Sequence, residues 1–339
     1  MRIATYNIEW FDSLFDNKGR LLADGGWSVR YDVTRKQQAE AIAIVLTALD
    51  ADAVMVIEAP DTSRRRSTTR ALSHFAEAFD LRTTAVVTGF ANDTQQEIAL
   101  LYDPAVMSVR HDPAGGPDSA PPRFDGAFDI DLDIDATLDH VTFSKPPLEL
   151  TVALQSGRRL RMIGAHLKSK APHGAQGHDA VMRMSIANRR KQLAQAIWLR
   201  QRIEAHLAMG DDLIVMGDLN DGPGLDEYEN LFGRSSVEII LGDGDDDGGP
   251  RLFDPHAEQA LISRISAQPT TARFFLTAEK RYLQALLDYV MISVRLREHD
   301  PRWRIWHPFD DPVCWRTPEL REALLTASDH FPVSVDLDL

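Results

Sequence analysis

The sequence predicts an α/β (α+β) fold: two packed mixed β-sheets with helices on the outer faces, a four-layer sandwich. Three observations lead there. Short apolar runs of strand length far outnumber helical stretches. They do not alternate with helices at a regular interval, and no internal repeat of fixed period is present, which argues against a doubly wound parallel sheet. Many of the runs also end in Asn, Glu, Asp or His, which a sheet core has no use for unless the strand ends face a cleft.

In chain order, Ile3 to Ile8 reads as the first strand and contains Asn7. Thr34 is placed to N-cap a helix on which Ile42, Val45, Leu46 and Leu49 form one apolar stripe. The run Ala53 to Ile57 is a strand that ends at Glu58. Residues 71–79 read as a helix, and Ala85 to Thr88 and Glu97 to Tyr102 as strands, the latter closed by Asp103-Pro104. Residues 111–123, rich in Pro, Gly and Asp, read as a loop. Residues 128–134 alternate apolar side chains with Asp129, Asp131 and Asp133, the pattern of a half-exposed strand with solvated carboxylates rather than of a metal site. Leu148 to Leu154 and Arg159 to His166 pair as a hairpin around Ser156-Gly157. Residues 182–207 carry the longest helical pattern, with Ile186, Leu193 and Ile197 on one side. Leu213 to Met216 runs into Gly217-Asp218-Leu219-Asn220, Leu286 to Ile292 carries Asp288, and Asp329-His330 precedes a closing strand from Phe331 to Leu339.

A length of 339 residues alone suggests about two domains. The polar strand ends, however, run from Asn7 to His330, and a site drawn from both ends of a chain needs one folded body, so a single domain over 1–339 is expected. Lys and Arg total 37 against 51 Asp and Glu, a net charge of −14. Binding to nucleic acid through a broad basic face is therefore not expected, and a local basic patch and a bound metal would have to supply the attraction. The single cysteine, Cys314, cannot form an internal disulfide. Residues 1–10 lack the basic start and long apolar run of a secretory signal, and no apolar stretch of about 18 residues is present, so a cytoplasmic location without membrane insertion is expected. The sequence implies no protein partner.

Asn7, Glu58, His166, Asp218, Asn220, Asp288, Asp329 and His330 all lie within or beside the ends of apolar runs. Any one alone is more often a cap or turn residue; together they suit phosphoryl hydrolysis. A hard cation held by carboxylate and amide oxygens neutralises a phosphate, an aspartate beside a histidine orients water, and imidazoles stabilise the charge that develops on the phosphoryl oxygens. The oxygen-rich set, without cysteine ligands, favours Mg²⁺ or Mn²⁺ over Zn²⁺.

The segments TYNIEWF (5–11), VMVIEAP (54–60), AHLKSK (165–170), MGDLND (216–221), LDYVMIS (287–293) and SDHFPV (328–333) resemble, in order and over nearly the whole chain, the motifs of the endonuclease/exonuclease/phosphatase superfamily. The resemblance implies that Asn7, Glu58 and Asp329 hold the metal, Asn7 through water or directly. It implies that Asp218 orients the nucleophilic water, Asn220 holds the phosphate, and His330 is general base or transition-state stabiliser with Asp288 fixing its tautomer. His166 followed by LKSK resembles the branch of pancreatic-type deoxyribonucleases and bacterial extracellular nucleases, which implies Glu97 as the acidic partner of His166. FSKPPL (143–148) resembles that branch's phosphate-contacting segment, with Lys145 where the nucleases usually have Arg; this loses a bidentate grip. Lys168 is a second candidate contact, and a solvated role stays open for both lysines.

Three weaker signals read as ordinary surface or packing. They are the Arg64–Arg66 run, the aromatic side chains Phe11, Phe15, Trp27, Trp303, Trp306 and Trp315, and the Asp243–Gly248 loop. That loop resembles the start of a Ca²⁺ loop, with Asp254 at the closing position, but Pro250 stands where such a loop has an aliphatic residue. The resemblance implies a metal-dependent nuclease or phosphodiesterase that hydrolyses a P–O bond with water activated by Asp218 and His330, acting on nucleic acid or a small phosphate ester. The alternative is a phosphatase or diesterase of a small molecule or lipid headgroup. A catalytically dead binding module is disfavoured because no chemical role is missing.

Overall fold

Period-two burial along the first strand sets the plan of the molecule. In the computed structural model, which describes residues 1–92, 94–116, 119–132, 138–172, 174–222, 233–243, 249–262, 268–276 and 280–339, β1 (Arg2–Asn7) sends Ile3 to one face and Ala4 and Tyr6 to the other. Thr34 caps α1 (Arg35–Leu49): its hydroxyl accepts from the Gln37 amide while the Gln37 side chain accepts from the Thr34 amide, a reciprocal capping box. There follow β2 (Ala53–Pro60), α2 (Thr68–Ala78), β3 (Ala85–Thr88), β4 (Gln96–Tyr102) and β5 (Met107–His111). A short pair, β6 (Phe128–Ile130) and β7 (Asp139–Val141), precedes the hairpin of β8 (Leu148–Leu154) and β9 (Arg159–His166). Then come α3 (His178–Ala208), β10 (Leu213–Asp218), α4 (Ser236–Leu241), β11 (Leu252–Phe253), α5 (Pro255–Ile262) and the hairpin of β12 (Ala272–Leu276) and β13 (Arg281–Ala285). The chain closes with β14 (Asp288–Ser293), β15 (Arg302–Ile305), α6 (Pro312–Arg316), α7 (Pro318–Ala327) and β16 (Val333–Asp336).

Two six-stranded mixed sheets result, in the orders β15-β16-β1-β2-β4-β3 and β11-β14-β10-β9-β8-β5. Each is antiparallel except for one pair near its middle, β1 with β2 and β9 with β10. Between the sheets lie Ile3, Met55, Leu100, Leu150, Met162, Met216, Val290 and Val335. The outer face of the first sheet packs Tyr6, Val54 and Val56 against Ile42, Leu46 and Leu324 of α1 and α7. The outer face of the second packs Ile163, Val215 and Tyr289 against Trp198, Leu199 and Ile203 of α3. These are the four layers expected.

Several boundaries differ from expectation. The strand expected to stop at Glu58 continues to Pro60 around a bulge. The expected strand 128–134 is confined to Phe128–Ile130 among the described residues, and Asp133 lies outside them. The β12–β13 hairpin was not anticipated, because its exposed face carries Phe275 and Tyr282 where a polar alternation would mark a surface strand. No helix among the described residues is long and apolar enough to cross a membrane.

Candidate active site

The two parallel pairs explain why distant residues meet. In a parallel pair both C-terminal ends reach the same edge, so Asn7 comes beside Ile57 and His166 beside Asp218. The antiparallel neighbours begin at that edge: Asp288 opens β14 opposite Asp218, and β16 starts just after Asp329 and His330. The two edges line one cavity of ≈ 860 Å³ whose wall includes Asn7, Glu58, Asp218, Asn220, Asp329 and His330. Lys145, His166 and Lys168 also line it.

Local backbone geometry aims the key side chains. Gly217 has φ +137°, and a Cβ there would lie 2.0 Å from the Ala165 carbonyl oxygen, so the backbone entering Asp218 requires glycine. Glu58 has φ +63° and is the extra residue of a β-bulge, with Ile57 opposite Ile98 and Ala59 opposite Glu97. By plain alternation Glu58 would follow Val54 and Val56 onto the helix-facing side; the bulge turns it into the cavity instead.

On β4 plain alternation decides which residue enters the site: Gln96 shares the inter-sheet face of Ile98 and Leu100, and Glu97 the opposite face with Ala99 and Leu101. Gln96 lines the cavity and Glu97 does not, so the implied Glu97–His166 pair is corrected. The buried Glu97 carboxylate accepts from Asn92 Nδ2 at 2.7 Å and from the Thr62 amide at 3.4 Å, and burial pushes it up to about 7. Gln96 instead donates to Glu58 Oε2 and accepts from Lys145 Nζ. Lys145 Nζ lies 3.2 Å from His166 Nδ1, so the partner of His166 is a lysine, not a carboxylate. An ammonium can only donate, so Nδ1 accepts and the ring proton sits on Nε2. Burial, then Lys145 and His330, hold His166 well below the ordinary histidine range.

Asp218 is the hub. Its Oδ2 accepts from Asn7 Nδ2 at 3.0 Å and Asn220 Nδ2 at 3.2 Å, and its Oδ1 accepts from the Asn220 amide at 2.7 Å. Asn220 adopts φ +49° at the turn that makes this possible. His166 Nε2 lies 3.6 Å and His330 Nε2 4.0 Å from the same Asp218 oxygen, too far for direct bonds and suited to an intervening water or phosphate oxygen. Burial, with Asp288 adding to it, raises Asp218 above the usual carboxylate range. His330 Nδ1 donates to Asp288 Oδ2 at 2.7 Å. Burial alone would lower His330, but Asp288, Asp218 and Asp329 outweigh it and hold the imidazole well above its ordinary range.

The residues present fit a hard divalent cation. The Asn7 Oδ1 and Asp329 Oδ1 atoms are buried and have no hydrogen-bond partner among the described residues. Burial pushes Glu58 up, an effect that Asp329 increases and that Lys145 and His330 oppose. A cation among these oxygens would relieve both features. Ligand atoms of Asp218, Asp288 and His330 also lie within 4.8 Å of one another, but His330 and Asp288 are already paired.

A family profile described as the Endonuclease/Exonuclease/phosphatase family matches residues 4–330. The chain belongs to the endonuclease/exonuclease/phosphatase family. It is therefore a metal-dependent hydrolase of phosphate ester bonds, as members of this family are. Among solved structures, an AP endonuclease from Archaeoglobus fulgidus is similar over 100% of both chains at 14% identity and a TM-score of 0.53. TDP2 from C. elegans is similar over 98% of this chain and 74% of that one, at 14% identity and a TM-score of 0.51. At these identities the likeness shows the fold of the endonuclease/exonuclease/phosphatase family and no more. No curated protein matches in sequence.

Within this family fold, other candidates fall away from the cavity. Arg66 is tied to Asp61 at 2.9 Å and to Asn17, and Phe11 and Phe15 pack edge-on against Phe75. Residues 244–248 of the Ca²⁺-like loop lie outside the described residues. Asp254, its closing position, is buried and accepts from the amides of His256, Ala257 and Val290, so it caps α5 and pins β14. Gln96 and Glu9 are among the cavity residues that were missed. Gln96 shares the face of Ile98 and Leu100, which plain alternation along β4 would have found. Glu9 stands two residues after Asn7, so period-two alternation would have found it; it pairs with Arg30 and accepts from Trp10 Nε1 at 2.9 Å.

Proposed function

We propose that the chain is a Mg²⁺- or Mn²⁺-dependent phosphodiesterase whose substrate is nucleic acid, and that residues 1–339 act as one catalytic unit. The observation that carries this reading is that two histidines approach one oxygen of Asp218 from different segments, at 3.6 and 4.0 Å. A diester needs proton management at both the attacking and the leaving oxygen, and a group on either side of the phosphate meets that need. Asn7, Glu58 and Asp329 would hold the cation, which when bound neutralises phosphate charge and acts as a Lewis acid. Asp218 orients the attacking water, and His330, with its Nδ1 proton committed to Asp288, turns Nε2 to the phosphate and stabilises the charge that develops. Asn220, Lys145 and Lys168 bind the phosphate oxygens. His166 donates from Nε2 on the other side.

The second reading, a phosphatase or diesterase of a small molecule, draws support from the net charge of −14, which opposes long-range attraction of a polyanion. Hydrolysis of bis-p-nitrophenyl phosphate, p-nitrophenyl phosphate and plasmid DNA with Mg²⁺ or Mn²⁺, beside His330→Ala and an EDTA control, separates the two. Metal-dependent diester and DNA cleavage lost in the variant is expected. Turnover of the monoester alone would move the assignment to a phosphatase.

A further inference from the structure

A row of exposed aromatic rings, with half-buried guanidinium groups against them, leads away from the cavity. Phe275 meets Tyr282 across the β12–β13 hairpin with ring centroids 5.2 Å apart. The Arg273 guanidinium lies 3.5 Å over the Tyr282 ring and 5.4 Å from that of Phe309. Phe309 is 6.3 Å from Trp315, and Arg321 is 4.9 Å from Trp315. The four rings are 53%, 51%, 38% and 51% exposed in that order, so they form a contiguous patch rather than scattered surface residues.

The row is continuous with the catalytic edge. β12 alternates, so Phe274 lines the cavity and packs 5.5 Å from the His330 ring while Arg273 and Phe275 face the row. The Arg273 amide donates to the Asp329 carbonyl at 2.7 Å, and Ala272 bridges to His330. Among the described residues Arg273 has no carboxylate partner, and its Nε is buried without a hydrogen bond. Its charge is thus held over the Tyr282 ring and near that of Phe309, without a carboxylate to neutralise it.

We propose that this row is a binding site for single-stranded nucleic acid, taking the nucleotides that flank the scissile phosphodiester; it rests on the phosphodiesterase reading of the cavity. Every base offers a π-face to an aromatic ring whatever the sequence, and guanidinium groups meet the phosphates between bases. A duplex hides its base faces and cannot use the rings. A chain of net charge −14 has little long-range attraction to offer, so stacking must supply most of the affinity. Arg321 is already paired with Glu322 at 3.5 Å and bonded to the Trp315 carbonyl, so with Arg273 as the phosphate contact of the row log K against log salt should fall with a slope of about −0.7, far shallower than for a binder with a broad basic face.

The test is fluorescence anisotropy in EDTA with labelled oligothymidylate and with a labelled duplex, on wild type, Tyr282→Ala and Trp315→Ala. Hydrolysis of bis-p-nitrophenyl phosphate with Mn²⁺ is measured in parallel. Each variant should weaken single-strand binding by about 5- to 100-fold, the loss of one base–aromatic stack, with unchanged turnover of the small diester. Variants that bind the strand as wild type does would overturn the proposal. So would equal affinity for the duplex, or a wild-type dimer in light scattering that both variants dissociate, which would make the row a protein interface. Wild type that binds the strand but fails on the small diester would remove the phosphodiesterase reading while supporting the row as a single-strand site.

Discussion

His330 donates from Nδ1 to Asp288 Oδ2 at 2.7 Å, and both side chains are buried although they are 42 residues apart in sequence. The bond fixes the ring's orientation and sends Nε2 toward Asp218 and the cavity. Asp288→Asn keeps the shape but can set an amide N–H against Nδ1, which reverses the tautomer. Turnover of bis-p-nitrophenyl phosphate should fall by about 10- to 100-fold or more through kcat, with little change in KM and a near-wild-type thermal melt. Wild-type kcat in this variant would remove Asp288 from its positioning role.

Glu58 reaches the cavity only because the bulge turns it there. Glu58→Gln retains the shape and hydrogen-bonding capacity but removes an anionic ligand. Calorimetric titration with Mn²⁺ should show affinity at least about tenfold weaker, and the metal-dependent rise in melting temperature should shrink accordingly. An unchanged titration would place the cation elsewhere.

Lys145 joins Gln96 to His166 and faces Glu58 across that amide. Lys145→Met leaves His166 Nδ1 without its donor and takes a cation from beside the phosphate position. One charge-assisted hydrogen bond corresponds to a loss of roughly 10- to 100-fold in kcat/KM. The imidazole nitrogens of His166, read by NMR in the metal-free protein, should lose the preference for a proton on Nε2. A surface role would leave both readouts unmoved.

Glu97 yields a pH prediction of the opposite sign to that of a salt-bridged carboxylate. Burial raises it from 4.5 to about 7, so the folded chain binds more protons than the unfolded one between these values. Stability contributed by the protonated carboxyl is intact at low pH and is lost as pH rises toward 7, by up to about 3 kcal/mol. Urea unfolding at about pH 5 and about pH 8 should show this decline in wild type and a flatter profile in Glu97→Gln. Identical profiles would mean that Glu97 titrates as an exposed group.

Much of the site was legible because strands advertise themselves. Asn7, Asp218, Asp288 and His330 each stand where an apolar run meets a turn, and Thr34 and the Ser156-Gly157 hairpin follow from local backbone chemistry. Such signals depend on a few neighbouring residues and survive any arrangement of the rest. The Gln96–Glu97 choice was not legible, because β4 alternates plainly, with Gln96 on the face of Ile98 and Leu100 and Glu97 on that of Ala99 and Leu101, and only the packing of the two sheets decides which face meets the cavity. Nothing in the short segment announces which face that is.

The sequence by itself determined the strands, the order of their polar ends and the kind of chemistry those ends can do, since periodicity and side-chain type are local properties. The tertiary structure alone decided who faces whom. It gave His166 a lysine partner, buried Glu97 away from the cavity, and set Arg273, Phe309 and Trp315 in one row. These outcomes depend on sheet register and on the packing of segments far apart in the chain, where a shift of a single residue moves a side chain to the opposite face.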